Sequence, residues 1–185
     1  AVLWASDLAG FTRLADREPE ARVIDLLNAY AEVAVDAVTE AGGDVSKFIG
    51  DGLLAVFDRA RLDDAPAAAL TAAERALAAV DELGVRRAAA GLPTTRLRVA
   101  LHAGEVFYGN VGGRARLDFT VVGPAVNEAA RLCDMCRSLE RELVLSAAFH
   151  AAADAQRARL VGLGRYALRG VARPQHLYTL DRDAP

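Results

Sequence analysis

Two short β-favouring runs, Val45–Ile49 and Leu53–Phe57, are separated only by Gly50-Asp51-Gly52. A three-residue gap with a glycine on each side closes an antiparallel hairpin, because glycine reaches the backbone conformations that a tight reversal needs. That hairpin sits between two helical stretches. Val23, Leu26, Leu27, Tyr30, Ala34 and Val38 recur at helical spacing from about Glu18 to Ala41, and Gly42-Gly43 stops the run. An alanine-rich stretch with charges on one side follows from about Asp64 to Ala90, and Pro93 closes it. Val2–Leu8 reads as a buried opening strand, and Arg96–Ala103 as the strand after the second helix.

The order β-α-β-β-α-β is that of a ferredoxin-like core, so the expected class is α+β with a C-terminal α/β extension. The extension begins with a glycine-punctuated stretch to Gly113 and a strand Leu117–Val122. Gly123-Pro124 then opens a helix over about Ala125–Met135. A strand Leu143–Ser146, a short helix near Ala147–Ala155 and strands near Tyr166–Arg169 and His176–Leu180 complete the reading. With no internal repeat or linker, residues 1–185 read as one domain, since about 100–200 residues is an ordinary domain size.

Composition removes several classes of function. With 53% hydrophobic and 25% charged residues, the chain is neither disordered nor a coiled coil. A net charge of −3, from 22 basic and 25 acidic residues, argues against a nucleic-acid partner. The alanine-rich tract Ala65–Val80 is interrupted by Glu74 and Arg75, and nothing approaches the roughly 20 apolar residues of a membrane span. Asp7 falls where the apolar core of a signal peptide would lie. Cys133 and Cys136 form a lone C-x-x-C without a second ligand pair, which suits two reduced thiols and a cytoplasmic location. The expectation is a soluble domain without membrane contact.

The acids carry the first chemical signal. Asp7 ends the opening strand and Asp51 sits at the hairpin tip; in a ferredoxin-like sheet those elements are neighbours, so the carboxylates can meet at one edge. Two carboxylates and a backbone carbonyl make a hard oxygen site suited to Mg²⁺ or Mn²⁺ carrying phosphates. Asn127 and Arg131, four apart, share one face of the later helix. Lys47 is the only lysine in the chain.

These segments resemble a known family. Ser6-Asp7-Leu8-Ala9-Gly10-Phe11-Thr12 and Lys47-Phe48-Ile49-Gly50-Asp51-Gly52 are similar to the two metal-binding signatures of class III nucleotidyl cyclases. Phe119-Thr120-Val121-Val122-Gly123-Pro124-Ala125-Val126-Asn127-Glu128-Ala129-Ala130-Arg131-Leu132 resembles that family's third signature. The resemblance implies the class III cyclase fold and a reaction in which the ribose 3′-hydroxyl attacks the α-phosphorus in line and pyrophosphate leaves. It implies two Mg²⁺ or Mn²⁺ ions per site on Asp7, Asp51 and the Leu8 carbonyl. The backbone of Gly10, Phe11 and Thr12 would cradle phosphate oxygens. Asn127 would orient the ribose, and Arg131 would bind the α-phosphate as charge builds. Arg169, with Arg173 as the alternative, stands near the family's pyrophosphate-binding cation. His102, in the stretch Val99–Glu105, reads as structural.

The same resemblance places Lys47 and Thr120 at the two base-reading positions. An ammonium donates to adenine N1 and a hydroxyl accepts from N6, whereas guanine N1–H would face the ammonium and leave buried donors unpaired, at about 1–3 kcal/mol each. Lysine with threonine resembles a bacterial adenylyl subtype, which implies ATP as substrate and cyclic AMP as product. In this family the metal acids come from one protomer and Lys47, Thr120, Asn127 and Arg131 from the other, which implies a homodimer with two equivalent sites. The family commonly carries upstream sensor or membrane domains, so an excised catalytic domain with an upstream regulatory domain is expected. Alternatives are a guanylyl or relaxed-specificity cyclase, and a catalytically silent module that only binds nucleotide or a partner. Gly42-Gly43-Asp44 also suggests a diguanylate cyclase, but it precedes the hairpin instead of forming its tip.

Overall fold

The computed structural model describes residues 1–113, 116–169, 171 and 173–181, with the backbone alone over 116–119. The chain runs β1 (Val2–Leu8), α1 (Phe11–Ala15), α2 (Glu20–Glu40), β2 (Asp44–Ile49), β3 (Gly52–Phe57), α3 (Ala65–Ala89) and β4 (Leu97–Ala103). It continues through β5 (Phe107–Gly113), β6 (Arg116–Val122), α4 (Pro124–Ser138), β7 (Leu143–Ser146) and α5 (Ala147–Ala152). A 3₁₀ turn (Asp154–Arg159), β8 (Leu160–Tyr166) and β9 (Gln175–Leu180) follow. Seven strands form one sheet in the order β2-β3-β1-β4-β7-β9-β8, and β5 pairs only with β6 as a separate ribbon. The first four positions are the expected ferredoxin-like core, and β7–β9 are its C-terminal extension.

Alternation along β1 creates two cores. Val2, Trp4 and Leu8 join α2, α3 and α5 in a cluster with Phe57, Leu101 and Phe149. Leu3 and Ala5 point the other way and pack with Leu54, Ala100 and Leu132 under α4. Each large side chain buried this way contributes about 1.5–3 kcal/mol. α3 presents Ala65, Ala69, Ala72, Ala73 and Ala76 inward, small residues that let it lie against both α2 and β4. Asp64 accepts the Ala67 N–H and caps its start.

Several expected boundaries move. The glycine-punctuated stretch contains a strand, β5, whose glycines hid its alternation. The strand expected at Tyr166–Arg169 instead ends at Tyr166. Its body is Leu160–Tyr166, where Gly162 and Gly164 mask the pattern and the register slips between them. The helix expected to reach Ala155 stops at Ala152 and passes into the 3₁₀ turn. The short α1 has no buried side chain, and so no apolar stripe announced it.

β2 carries a bulge that the sequence does not announce. Val45 pairs with Ala55, yet Lys47 pairs with Leu54, so Ser46 is an extra residue. Regular alternation would have put Lys47 on the same face as Val45. The bulge instead puts Lys47 on the face of Leu54, beneath which α4 packs.

Beside the hairpin tip β3 meets the end of β1 with no room for a side chain: a Cβ on Gly52 would lie 1.8 Å from the Ser6 carbonyl oxygen. Gly52→Ala is therefore expected to cost about 3 kcal/mol of stability, read as a lower denaturation midpoint by circular dichroism. An unchanged midpoint would mean that the two strands separate freely there.

Candidate active site

Asp7 lies on the α4 face of β1, opposite Arg98 of β4. Its Oδ2 is 3.9 Å from Arg98 Nη1, and its Oδ1 is buried without a partner. Burial is the main cause that pushes the Asp7 carboxyl above the usual carboxylate range; Arg98 opposes the shift and Asp51 adds to it. Asp51 reaches β1 from the hairpin tip, where its Oδ2 accepts the Leu8 N–H at 2.9 Å. The two acids thus converge at one sheet edge because a backbone hydrogen bond draws the tip onto the strand end.

Beyond Leu8 the chain turns at Gly10, whose φ of 72° is a left-handed conformation, into Phe11 and Thr12 at the start of α1. This turn, both acids, Arg98 and Arg137 line an open cleft of about 960 Å³. A cation fits the donor set: two convergent carboxylates, one with an orphaned buried oxygen, are hard oxygen ligands whose mutual repulsion a cation removes. Arg98 was not anticipated from the sequence. Only the β1–β4 register brings it to Asp7, and an arginine within an apolar strand was the one available hint.

The remaining expected residues stand elsewhere. None of Lys47, Thr120, Asn127, Arg131 and Arg169 lines the acid cleft. Lys47 is exposed on β2, which touches β6. Thr120 is buried on β6. Asn127 is exposed and Arg131 half-buried on α4, between the inward residues Ala125, Ala129, Leu132 and Cys133. The far half of α4 instead meets the cleft through Asp134 and Arg137. Arg169 and Arg173 are exposed between β8 and β9. Exposed apolar side chains lie on β2, β5 and β6: Phe48 (58%), Ile49 (54%), Phe107 (63%), Tyr108 and Val122. Cys133 and Cys136 are buried and unbridged. The hydrogen bond to Cys136, together with burial, pushes the Cys133 thiol well up.

Residues 1–182 match the Adenylate and Guanylate cyclase catalytic domain family, and the chain belongs to it. An uncharacterized protein of Mycobacterium tuberculosis is 36% identical over 180 residues, which cover 97% of this chain and 31% of that protein. The chain therefore spans about a third of the length of the curated relatives it matches. A bacterial light-regulated adenylyl cyclase superposes with a TM-score of 0.87 at 28% identity, over 97% of this chain and 51% of the other. A guanylyl cyclase superposes at 0.82 with 25% identity, covering 98% and 93%. The adenylyl cyclase CyaB from P. aeruginosa, at 24% identity and a TM-score of 0.85, shares the fold over 100% of this chain and 96% of its own. Among the described residues no helix is long and apolar enough to cross a membrane.

The raised Asp7 pKa sets a stability trade-off. A carboxyl that holds its proton more tightly when folded favours folding below its unfolded pKa, and that contribution is lost as pH rises through the folded value. Asp7→Asn should therefore raise the thermal midpoint in chelator at pH 7, with the gain vanishing towards pH 3. A lower midpoint at pH 7 would show that the Arg98 pair outweighs burial.

Proposed function

We propose that this chain is the catalytic domain of an adenylyl cyclase that converts ATP to 3′,5′-cyclic AMP and pyrophosphate in sites shared across a homodimer. The observation that carries the reading is the division of the site. The acid cleft holds Asp7, Asp51 and the Gly10–Thr12 turn, while Lys47, Thr120, Asn127 and Arg131 lie outside it beside exposed apolar side chains. A two-fold partner that covers Ile49, Phe107 and Val122 would bring each incomplete half against its complement.

Within such a site Asp7, Asp51 and the Leu8 carbonyl would hold two Mg²⁺ or Mn²⁺ ions, whose charge would acidify the attacking 3′-hydroxyl and neutralise the triphosphate. The Gly10–Thr12 backbone N–H groups donate to phosphate oxygens, and Arg98 turns from Asp7 towards the same charge. From the partner, Asn127 orients the ribose and Arg131 donates to the α-phosphate as charge develops; losing such a donor costs about 10²–10³ in rate. Lys47 donates to adenine N1 and Thr120 accepts from N6. The exposed Arg169, or Arg173, meets the leaving pyrophosphate. The curated relatives are about three times as long, which supports an upstream or downstream regulatory domain in the whole protein. A cytoplasmic location suits a chain whose substrate is ATP.

Purified protein with ATP or GTP and Mn²⁺ should yield cyclic AMP, with specific activity rising as the protein is concentrated. Lys47→Ala should lower kcat/KM for ATP about 10- to 100-fold. Cyclic GMP as the main product would overturn the base assignment, and absence of any cyclic product from a demonstrated dimer would overturn the enzyme reading. Asp7→Ala and Arg131→Ala, each inactive alone, should regain about a quarter of wild-type activity on equal mixing, since half the dimers are hetero and each has one intact site. Verified heterodimers without activity would sink the shared site.

A further inference from the structure

His102, at the end of β4, is buried on the face that α4 covers. Its Nδ1 lies 2.9 Å from Ser146 Oγ, which also accepts the Phe149 N–H and caps α5. Its Nε2 faces Glu128 Oε2 at 3.8 Å. That same carboxylate oxygen accepts a hydrogen bond from Gln175 Nε2 at 3.0 Å. A line of polar groups thus runs from α5 through β4 and the first turn of α4 to the first residue of β9.

Two features of that line bear on the reaction. Glu128 directly follows Asn127 and precedes Arg131 by three, so the anchoring of its inward side chain sets how the helix aims its outward residues. Gln175 ends the loop that carries Arg169 and Arg173. The other end of the loop is tied down by Leu168, buried in the core beneath α4. Arg169 and Arg173 thus stand between two attachments, both of them to α4 or its core. A three-quarters-buried carboxylate is a costly way to fill space, and here its charge is answered from two different elements.

We propose that Glu128 and Gln175 are positioning residues: their hydrogen bond clamps the transition-state helix to the loop bearing the pyrophosphate arginines, so that the two groups act in fixed register. This rests on the proposed reaction, in which Asn127 and Arg131 act on the transition state and Arg169 or Arg173 on the leaving group. The clamp makes each end answer for the other. Breaking it from the loop side disturbs α4, and breaking it from the helix side loosens the loop.

The test is a double-mutant cycle with Glu128→Ala, Gln175→Ala and the pair, assayed for kcat, KM and pyrophosphate inhibition below each variant's melting temperature. Each single variant should lose about 10-fold in kcat and bind pyrophosphate more weakly, and the pair should be no worse than the poorer single. Glu128→Gln keeps an acceptor for Gln175 and should stay within about 3-fold of wild type. Losses that multiply in the pair, variants that lose only thermal stability, or a Glu128→Gln as poor as Glu128→Ala would each overturn the clamp. The wild-type control reports on the proposed reaction separately: cyclic GMP as its product overturns the ATP assignment while the cycle is read with GTP, and a wild type without activity overturns both.

Discussion

The bond from the Leu8 N–H to the Asp51 carboxylate organises the cleft, because it closes the hairpin tip onto the end of β1. β1 and β3 are paired only as far as Ala5 and Leu54, and this bond ties the tip beyond that pairing to the strand end beside Asp7. Gly52 lies against the Ser6 carbonyl there, and Asp7, one residue further, has a buried oxygen without a hydrogen-bond partner among the described residues. A folded protein tolerates such an oxygen only at a cost in stability.

Around that point the fold uses the two faces of its sheet differently. α2, α3 and α5 cover one face with a continuous apolar core that includes Trp4, Phe57 and Phe149; of the expected site residues Leu8 belongs to it and Phe11 packs against it. The other face is covered by α4, with Val121 of β6 and Leu168 beside it, and α4 carries polar and charged residues towards both of its ends. Asp134 and Arg137 line the acid cleft, and Asn127 and Arg131, earlier along the same helix, do not. A single helix thereby carries two residues that line the acid cleft and two that stand outside it. The exposed apolar residues of β2, β5 and β6 lie outside both cores, where isolated chains rarely leave so many together.

The acids, the Asn–Arg pair and the lone lysine were legible because each belongs to a short contiguous segment whose residue types answer to one chemistry. Strands β5 and β8 were not, since glycines at 109, 112, 113, 162 and 164 erase the alternation by which a strand is recognised. Arg98 escaped for a different reason. Its relation to Asp7 is a cross-strand pairing between residues 91 positions apart, and no local pattern records it. The link from Glu128 to Gln175 spans 47 positions and was hidden in the same way.

The order of elements, the hairpin tip and the chemical identity of the site residues were determined by the sequence alone, because periodicity, glycine and residue type act locally. Which face each side chain reached was decided by tertiary structure. Lys47 shows the difference: its alternation from Val45 places it with the α2 core, and the extra residue Ser46 turns it to the α4 face. A bulge forms where the pairing of the whole strand gains more than one broken step loses, and that balance is struck between β2 and β3, not within β2. Likewise, that Asp7 and Asp51 line a cleft which Lys47, Thr120, Asn127 and Arg131 do not reach follows from how the strands and α4 pack, a long-range arrangement that no segment of the chain specifies by itself.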